Sequence, residues 1–377
     1  MPAVPSLRLV LFYIAVFVVF GVLVPFWPLW LGARGLSAGE LGLVIAVGQW
    51  VKAAANPLVG MAADRSGRPR LIMLMLSCAT AATFLLCLWA HGLVALLLLS
   101  ATAVTFSGSL MPLGDNLALA SAYSGKVDYG RVRLWGSLTF VATLLIAGRI
   151  LDGRSADTVL YLLIGGAVLT FAACFGLPAE GASVRRRFSP GWRALITPRL
   201  LIFLAAATLV QGSHSVLYVF GTLHWRAIGI SDATIAIFWA EGTLAEVVLF
   251  FWGASLLRRI GPLGLLALGG GAGLVRWTVT AFATTVPLIA LAQLLHAFSF
   301  GAAHLGAMHH LARTVPDEQA ATGQALYSAV VGSIGPGLIM LAMGPLYAAT
   351  GGLAYLAMAA IAIAGAALAL RLSATKF

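Results

Sequence analysis

The chain has 377 residues, 61% of them hydrophobic and only 9% charged, with mean hydropathy +0.99 and a formal net charge of +11. A composition this apolar excludes an ordinary soluble domain. Its three cysteines, Cys78, Cys87 and Cys174, lie in apolar segments without CxxC or metal-ligand spacing, so a disulfide scaffold or metal centre is excluded and the three read as packing residues.

Apolar runs long enough to span a bilayer recur from end to end, and the sequence predicts twelve helices: 8–31, 39–62, 70–90, 93–122, 131–151, 157–177, 199–222, 232–257, 263–284, 286–312, 321–347 and 351–372. Only short loops remain between them, which leaves no room for a soluble domain. Helix 1 runs into Pro25-Phe26-Trp27-Pro28 with no small-residue cleavage site, so it is expected to be a retained helix and not a signal peptide. Trp27 and Trp30 near its end, and Trp225 near the outer boundary just after helix 7, are expected in an outer aromatic belt.

Helix 2 carries Lys52 about 20 Å from its start, near mid-membrane. Three readings stand for it: a site for a substrate carboxylate, an internal salt bridge, or a side chain snorkelling to a surface. Trp50 beside it is deep, and so is Trp239 in helix 8. Either is expected to pack in the core or to stack on an aromatic substrate. The loop after helix 2 reads Gly60-Met-Ala-Ala-Asp64-Arg65-Ser-Gly67-Arg68-Pro-Arg70. Its glycines suit a tight turn, and Asp64 is expected to cap a helix while pairing with nearby guanidinium groups. The loop between helices 8 and 9, 253–261, repeats the first Gly and the basic pair but lacks the acid. Helix 4 holds Asp115 and Asn116 after Pro112 and Gly114, where a kink is expected to free backbone groups. Helix 5 opens with Arg131 and Arg133, and Asp115 with Arg133 reads either as a cross-helix pair lining a cavity or as a permanent structural ion pair.

The stretch 178–198, with Arg185-Arg186-Arg187, divides six helices from six. The expected organisation is an N-terminal bundle 1–178, a cytoplasmic linker 179–198 and a C-terminal bundle 199–377. In the second half, Glu241 and Glu246 of helix 8 are five residues apart and point about 140° from each other. Glu246, Arg276 of helix 9 and His296 of helix 10 reach similar depths and read as a proton-coupling cluster or a structural network. His304 is a weaker member. Gly269, Gly270, Gly271 and Gly273 form a small face for close packing. Pro336 and Pro345, each after a glycine, are expected to bend helix 11 and to serve gating.

Ions stranded in hydrocarbon are costly, so Lys52, Asp115, Glu241, Glu246, Arg276 and His296 are expected to face a bundle interior or a wet cavity. The remaining basic residues decide orientation. Seventeen of the 23 Lys and Arg fall on the side carrying both termini and four on the other, which predicts both termini in the cytoplasm. The basic excess is therefore a topology signal, and no nucleic-acid partner is implied.

The 60–70 loop resembles the GxxxDrxGrr signature of the major facilitator superfamily. In order along the chain, Pro25-Phe-Trp-Pro-Leu-Trp30, Tyr129-Gly130-Arg131-Val132-Arg133-Leu134-Trp135-Gly136-Ser137, Val275-Arg276-Trp277 and Leu295-His296 resemble its phenylpropionic acid permease branch, related to lactose permease. The resemblance implies an all-α membrane fold of twelve helices in two six-helix bundles, working by alternating access in the inner membrane. It implies that Asp115 works with a helix-5 arginine. It also implies gating contacts from Gly60, Asp64, Arg65, Gly67 and Arg68.

The sequence departs from lactose permease at the proton site. Ser299 stands where the acid after the helix-10 histidine would be, and Thr243 takes the place of the helix-8 acid, which returns as Glu246 three residues later. The expected function is proton-coupled import of a small aromatic carboxylate such as 3-phenylpropionate, by a monomer with no cofactor and no metal. Lys52, Asp115, Asn116, Arg133, Trp50 and Trp239 are assigned to substrate, and Glu246, Arg276 and His296 to the proton. A sugar or nucleoside symporter and a multidrug efflux pump are the alternatives. An enzyme would need a nucleophile, metal ligands or a polar catalytic loop, and His309-His310 with distant acids is too sparse for one.

Overall fold

A computed structural model describes residues 4–125, 127–178 and 195–374. Lys126, Lys376, the Arg185–Arg187 run and most of the 179–198 connector lie outside the described residues. Among the described residues the chain is helical throughout, with no strand. The helices are α1 Val4–Ala33, α2 Ala38–Ser66, α3 Pro69–Trp89, α4 Gly92–Tyr123, α5 Tyr129–Leu151, α6 Asp157–Phe175 and α7 Pro198–Ala227. They continue as α8 232–260, α9 262–282, α10 Val286–Thr314, α11 320–350 and α12 Ala354–Ala374. Hydrogen bonding alone joins Asp232–Phe282 into one 51-residue run, but Gly261 at φ 72°, ψ 174° breaks it into two spans. Gly351 at φ 56°, ψ −129° separates α11 from α12 in the same way. Both breaks sit in the left-handed region of φ, where an L side chain is strained.

The starts of several helices follow from local chemistry. Ser37 and Glu40 form a reciprocal capping box on α2, Asp128 accepts from the Arg131 amide at the start of α5, and Thr197 accepts from Leu200 at the start of α7. α2 ends on Gly67 at φ 63°. Asp64 does not cap a helix as expected. The chain stays helical through Ser66, so its carboxylate leaves the last turn of α2 into an exposed position and has no ion pair among the described residues.

The chain divides into two compact units, Met1–Arg185 with Ser231–Ala236, and Arg186–Ile230 with Ile237–Phe377. In the first, α1 is central, packed against α4, α5 and α6, with Phe12, Tyr13, Phe26, Trp27 and Trp30 buried. The expected aromatic belt is therefore corrected. Trp27 donates to Ser100 at 2.8 Å and Trp30 to Asp157 at 3.0 Å, so neighbouring helices satisfy both indoles inside the bundle. Trp225 is likewise buried, packed edge-on to Phe238. α4 stays helical past Pro112, and Gly114 serves packing, since a Cβ there would stand 2.3 Å from the Phe12 ring.

In the second unit α7 holds the central place, against α10, α11 and α12. Three of these helices carry an irregular turn. α7 breaks at Ser213–His214, α10 widens into a π turn at Ala297–Ala302, and α11 does so at Val330–Ile334, just before Pro336. The glycine face of α9 allows close approach on two sides. A Cβ on Gly269 would stand 2.5 Å from Ala303 Cβ, and one on Gly270 2.5 Å from the Ala362 carbonyl oxygen. Backbone cannot swing aside, so Gly270→Val is expected to destabilise the protein by about 1–3 kcal/mol. Detergent unfolding of the variant tests this, and an unchanged midpoint would show that α9 and α12 can separate freely. Of the cysteines, Cys87 and Cys174 are buried as packing residues, whereas Cys78 is exposed.

Candidate functional site

The first unit gathers three polar side chains around Asp115. Tyr13 of α1 donates its hydroxyl to Asp115 Oδ1 at 2.5 Å, and Tyr129 of α5 donates to the same oxygen at 3.2 Å. Arg133 Nε lies 3.8 Å from that oxygen, an ion pair beyond hydrogen-bond length. The guanidinium rests over the rings of Phe17 at 4.9 Å and Tyr13 at 5.5 Å, within cation–π range. Its Nη1 is buried with no hydrogen-bond partner. Helix geometry accounts for the pairing on α5, because Tyr129 and Arg133 are one turn apart on one face. Asn116 follows Asp115 but is exposed and makes no hydrogen bond to this cluster among the described residues.

Lys52 of α2 is half-buried and has no hydrogen bond or ion pair among the described residues. Its stem lies along α4 in the space left by Gly108, where a Cβ would stand 2.6 Å from Lys52 Cδ. One turn along α2 and one residue along α4, Ser109 donates to Asn56 Oδ1 at 2.7 Å and ties α4 to α2. Trp50 is also half-buried on α2.

In the second unit, Glu246, Arg276 and His296 form one continuous chain of contacts. Arg276 is 1% exposed. Its Nη1 donates to His296 Nδ1 and to Ser299 Oγ, both at 3.0 Å, and its Nη2 donates to Gln293 Oε1 at 2.7 Å. The guanidinium also sits 4.4 Å above the Trp277 ring. His296 Nε2 lies 3.7 Å from Glu246 Oε2. Gln293, His296 and Ser299 are three residues apart on α10 and so share the face turned to α9. Glycines let α8 come close on the same level. Gly301 leaves room for the Glu246 stem, and Gly242 for the His296 Cβ.

The hydrogen bonds assign the tautomers. Arginine only donates, so His296 Nδ1 accepts and its proton is on Nε2, aimed at Glu246. His214 Nδ1 is 3.0 Å from the Gln211 carbonyl, which only accepts, so that nitrogen holds the proton. His214 Nε2 then accepts from Ser299 at 3.2 Å, while Ser299 accepts from Arg276. The result is a directed chain from Gln211 to Glu246 with an arginine at its centre. Among the described residues no carboxylate touches Arg276 directly.

Sequence reasoning picked out the charged members of this chain but missed Gln293 and His214, and it also passed over Tyr13 and Tyr129 in the first unit. The polar run Gln211-Gly-Ser-His-Ser215 inside an apolar span was a usable signal for His214. Other expected members stand apart. Glu241 is half-buried without a partner among the described residues. Trp239 donates to Thr222 at 3.2 Å and stacks 6.0 Å from Tyr218. His304 extends a parallel stack from His296 through Phe300. In the 60–68 segment, Gly67 turns the chain, while Asp64, Arg65 and Arg68 are exposed. Among the described residues no group of His, Cys, Asp and Glu has metal-binding geometry.

The model of the MFS_1 like family matches residues 6–357. Over 363 residues the chain is 31% identical to the probable 3-phenylpropionic acid transporter of Escherichia coli (strain K12), with 94% of each covered. It is 28% identical over 340 residues to the maltose permease of Geobacillus stearothermophilus, covering 86% of this chain and 83% of that one. Among solved structures, the nucleoside transporter NupG aligns with a TM-score of 0.88 over 98% of this chain and 99% of that chain. At 15% identity, this likeness concerns the fold alone.

Proposed function

The chain belongs to the MFS_1 like family of the major facilitator superfamily and is a multi-pass membrane transporter, and from that premise we propose that it is a proton-coupled symporter for a small aromatic carboxylate such as 3-phenylpropionate. The observation that carries the substrate class is Lys52, a half-buried cation in a membrane helix with no counter-ion among the described residues. A carboxylate ligand supplies that counter-ion, and the printed name of the Escherichia coli relative supports the same chemistry. Glu246, Arg276 and His296 are assigned to the proton. The charge bias of the loops supports cytoplasmic termini in the inner membrane.

A sugar or nucleoside symporter is the second reading, favoured by the maltose permease relative and by the Asp115–Arg133 pair, which carries acceptors and donors for hydroxyls.

Uptake into proteoliposomes under an imposed proton gradient separates the two, with 3-phenylpropionate, benzoate, lactose and a nucleoside as candidates. If 3-phenylpropionate neither accumulates nor competes, the aromatic-acid reading fails. Lys52→Gln is expected to weaken 3-phenylpropionate binding about tenfold to a hundredfold, the range for a lost charge-assisted hydrogen bond. Binding of the neutral amide of the same acid should be unchanged. An equal loss for both ligands would show that Lys52 only supports the fold.

A further inference from the structure

We propose that Tyr13 and Tyr129 are positioning residues that hold Asp115 off Arg133 and so keep the arginine open to a substrate carboxylate. The inference deepens the proposed function and rests on its reading of the substrate as a carboxylate.

Three groups converge on one atom. The Tyr13 hydroxyl is 2.5 Å, the Tyr129 hydroxyl 3.2 Å and Arg133 Nε 3.8 Å from Asp115 Oδ1. An unobstructed arginine–carboxylate pair closes to two parallel hydrogen bonds of about 2.8 Å. Here it does not close, because two phenol hydroxyls already occupy the oxygen that faces the guanidinium. The Tyr13 bond has the length of a charge-assisted O–H···O contact, and Tyr13 itself is 0% exposed, so this hold is rigid.

The consequence falls on Arg133. Its Nη1 is left buried and without an acceptor. A buried guanidinium N–H without a partner is unfavourable unless a ligand completes it. The rings of Phe17 and Tyr13 flank the group, so an acceptor arriving there would find apolar surface beside it. An ionised carboxylate only accepts and matches an arginine with donors to spare. A hydroxyl ligand would also need an acceptor, and the phenols compete for the one oxygen that faces Arg133. The same contacts thus favour an acid, which needs donors alone, over a polyol, whose hydroxyl protons are left only the other Asp115 oxygen.

The test is an epistasis measurement on the purified full-length protein, by titration calorimetry with 3-phenylpropionate. The double variant Tyr13→Phe/Tyr129→Phe frees Asp115 to close on Arg133, and affinity is expected to fall about tenfold. Adding Asp115→Asn removes the competing carboxylate and is expected to return affinity to within about threefold of wild type, which a merely structural role for the tyrosines would not do. If the double variant does not fold, Tyr129→Phe alone, at a half-buried position, is expected to lower affinity about threefold, again with rescue by Asp115→Asn. Unchanged affinity in the tyrosine variants, or a loss that Asp115→Asn does not repair, overturns the inference while leaving the substrate class intact. A wild-type protein that binds neither 3-phenylpropionate nor benzoate overturns the substrate class and this inference with it.

Discussion

Proteoliposomes carrying Glu246→Gln are expected to exchange labelled substrate across the membrane, yet to lose at least tenfold of the accumulation that a proton gradient drives. The reason lies in how the other members of the chain are committed. His296 Nδ1 is occupied by the Arg276 donor, so the imidazole cannot take a second proton there without breaking that bond. Ser299 accepts from Arg276 and gives its own proton to His214, and Gln293 accepts from Arg276 through Oε1. Glu246 alone presents an oxygen that can gain and lose a proton while every one of these bonds stays in place. It approaches His296 Nε2 at 3.7 Å, close enough for charge interaction and short of a hydrogen bond, so a small movement changes the contact. Glutamine has the same shape and still turns an amide oxygen toward His296 Nε2, but it carries no exchangeable acid proton. Binding and alternation should therefore survive while coupling does not. Full accumulation by the variant would remove Glu246 as the carrier and shift attention to Glu241 or Asp115.

The fold was legible because apolar length is nearly decisive in a membrane. The predicted spans and the observed helices agree to within a few residues; the break at Gly261 falls in a loop the hydropathy pattern already required, and the one at Gly351 falls on the first residue of the predicted twelfth span. Charge in apolar helices was an equally strong signal. It drew out Glu246, Arg276 and His296, which the structure joins in one chain, and Asp115 and Arg133, which it brings to 3.8 Å. Neutral polar residues gave no comparable signal. Serine, glutamine and tyrosine are inexpensive enough in a membrane helix to occur for many reasons, so nothing marked Gln293 or Tyr13 until their partners were known, and Tyr129 stood only within a family motif. Trp27 and Trp30 misled for a related reason. Position near a helix end suggested an interface, but an indole N–H is equally well satisfied by Ser100 or Asp157 inside the bundle. Asp64 misled because a sequence motif does not say where the preceding helix stops.

Arg276→Met is expected to be the most destabilising single change in the second unit, by about 3–5 kcal/mol, since it removes the donor from a cluster built around it. The side chain is 1% exposed, and the acceptors it serves are buried with it, Gln293 at 2% and Ser299 at 1%. Methionine fills the volume but leaves Gln293 Oε1 and His296 Nδ1 facing no donor, and the cost of an unsatisfied buried group exceeds the net gain from making the bond. The guanidinium also spans α9 to α10 in a fixed fork, which lysine cannot reproduce with one flexible ammonium. Arg276→Lys is therefore expected to keep the charge and the fold, with a loss of about 1–2 kcal/mol. It should lower gradient-driven accumulation about tenfold, because no rigid donor then fixes the His296 tautomer toward Glu246. Unfolding by denaturing-detergent titration gives the stability order, and the proteoliposome assay gives the coupling. A methionine variant as stable as wild type would mean that the cluster relaxes without its arginine. A lysine variant with full accumulation would mean that the charge alone matters, and that the directed bonds from Arg276 to His296 have no part in coupling.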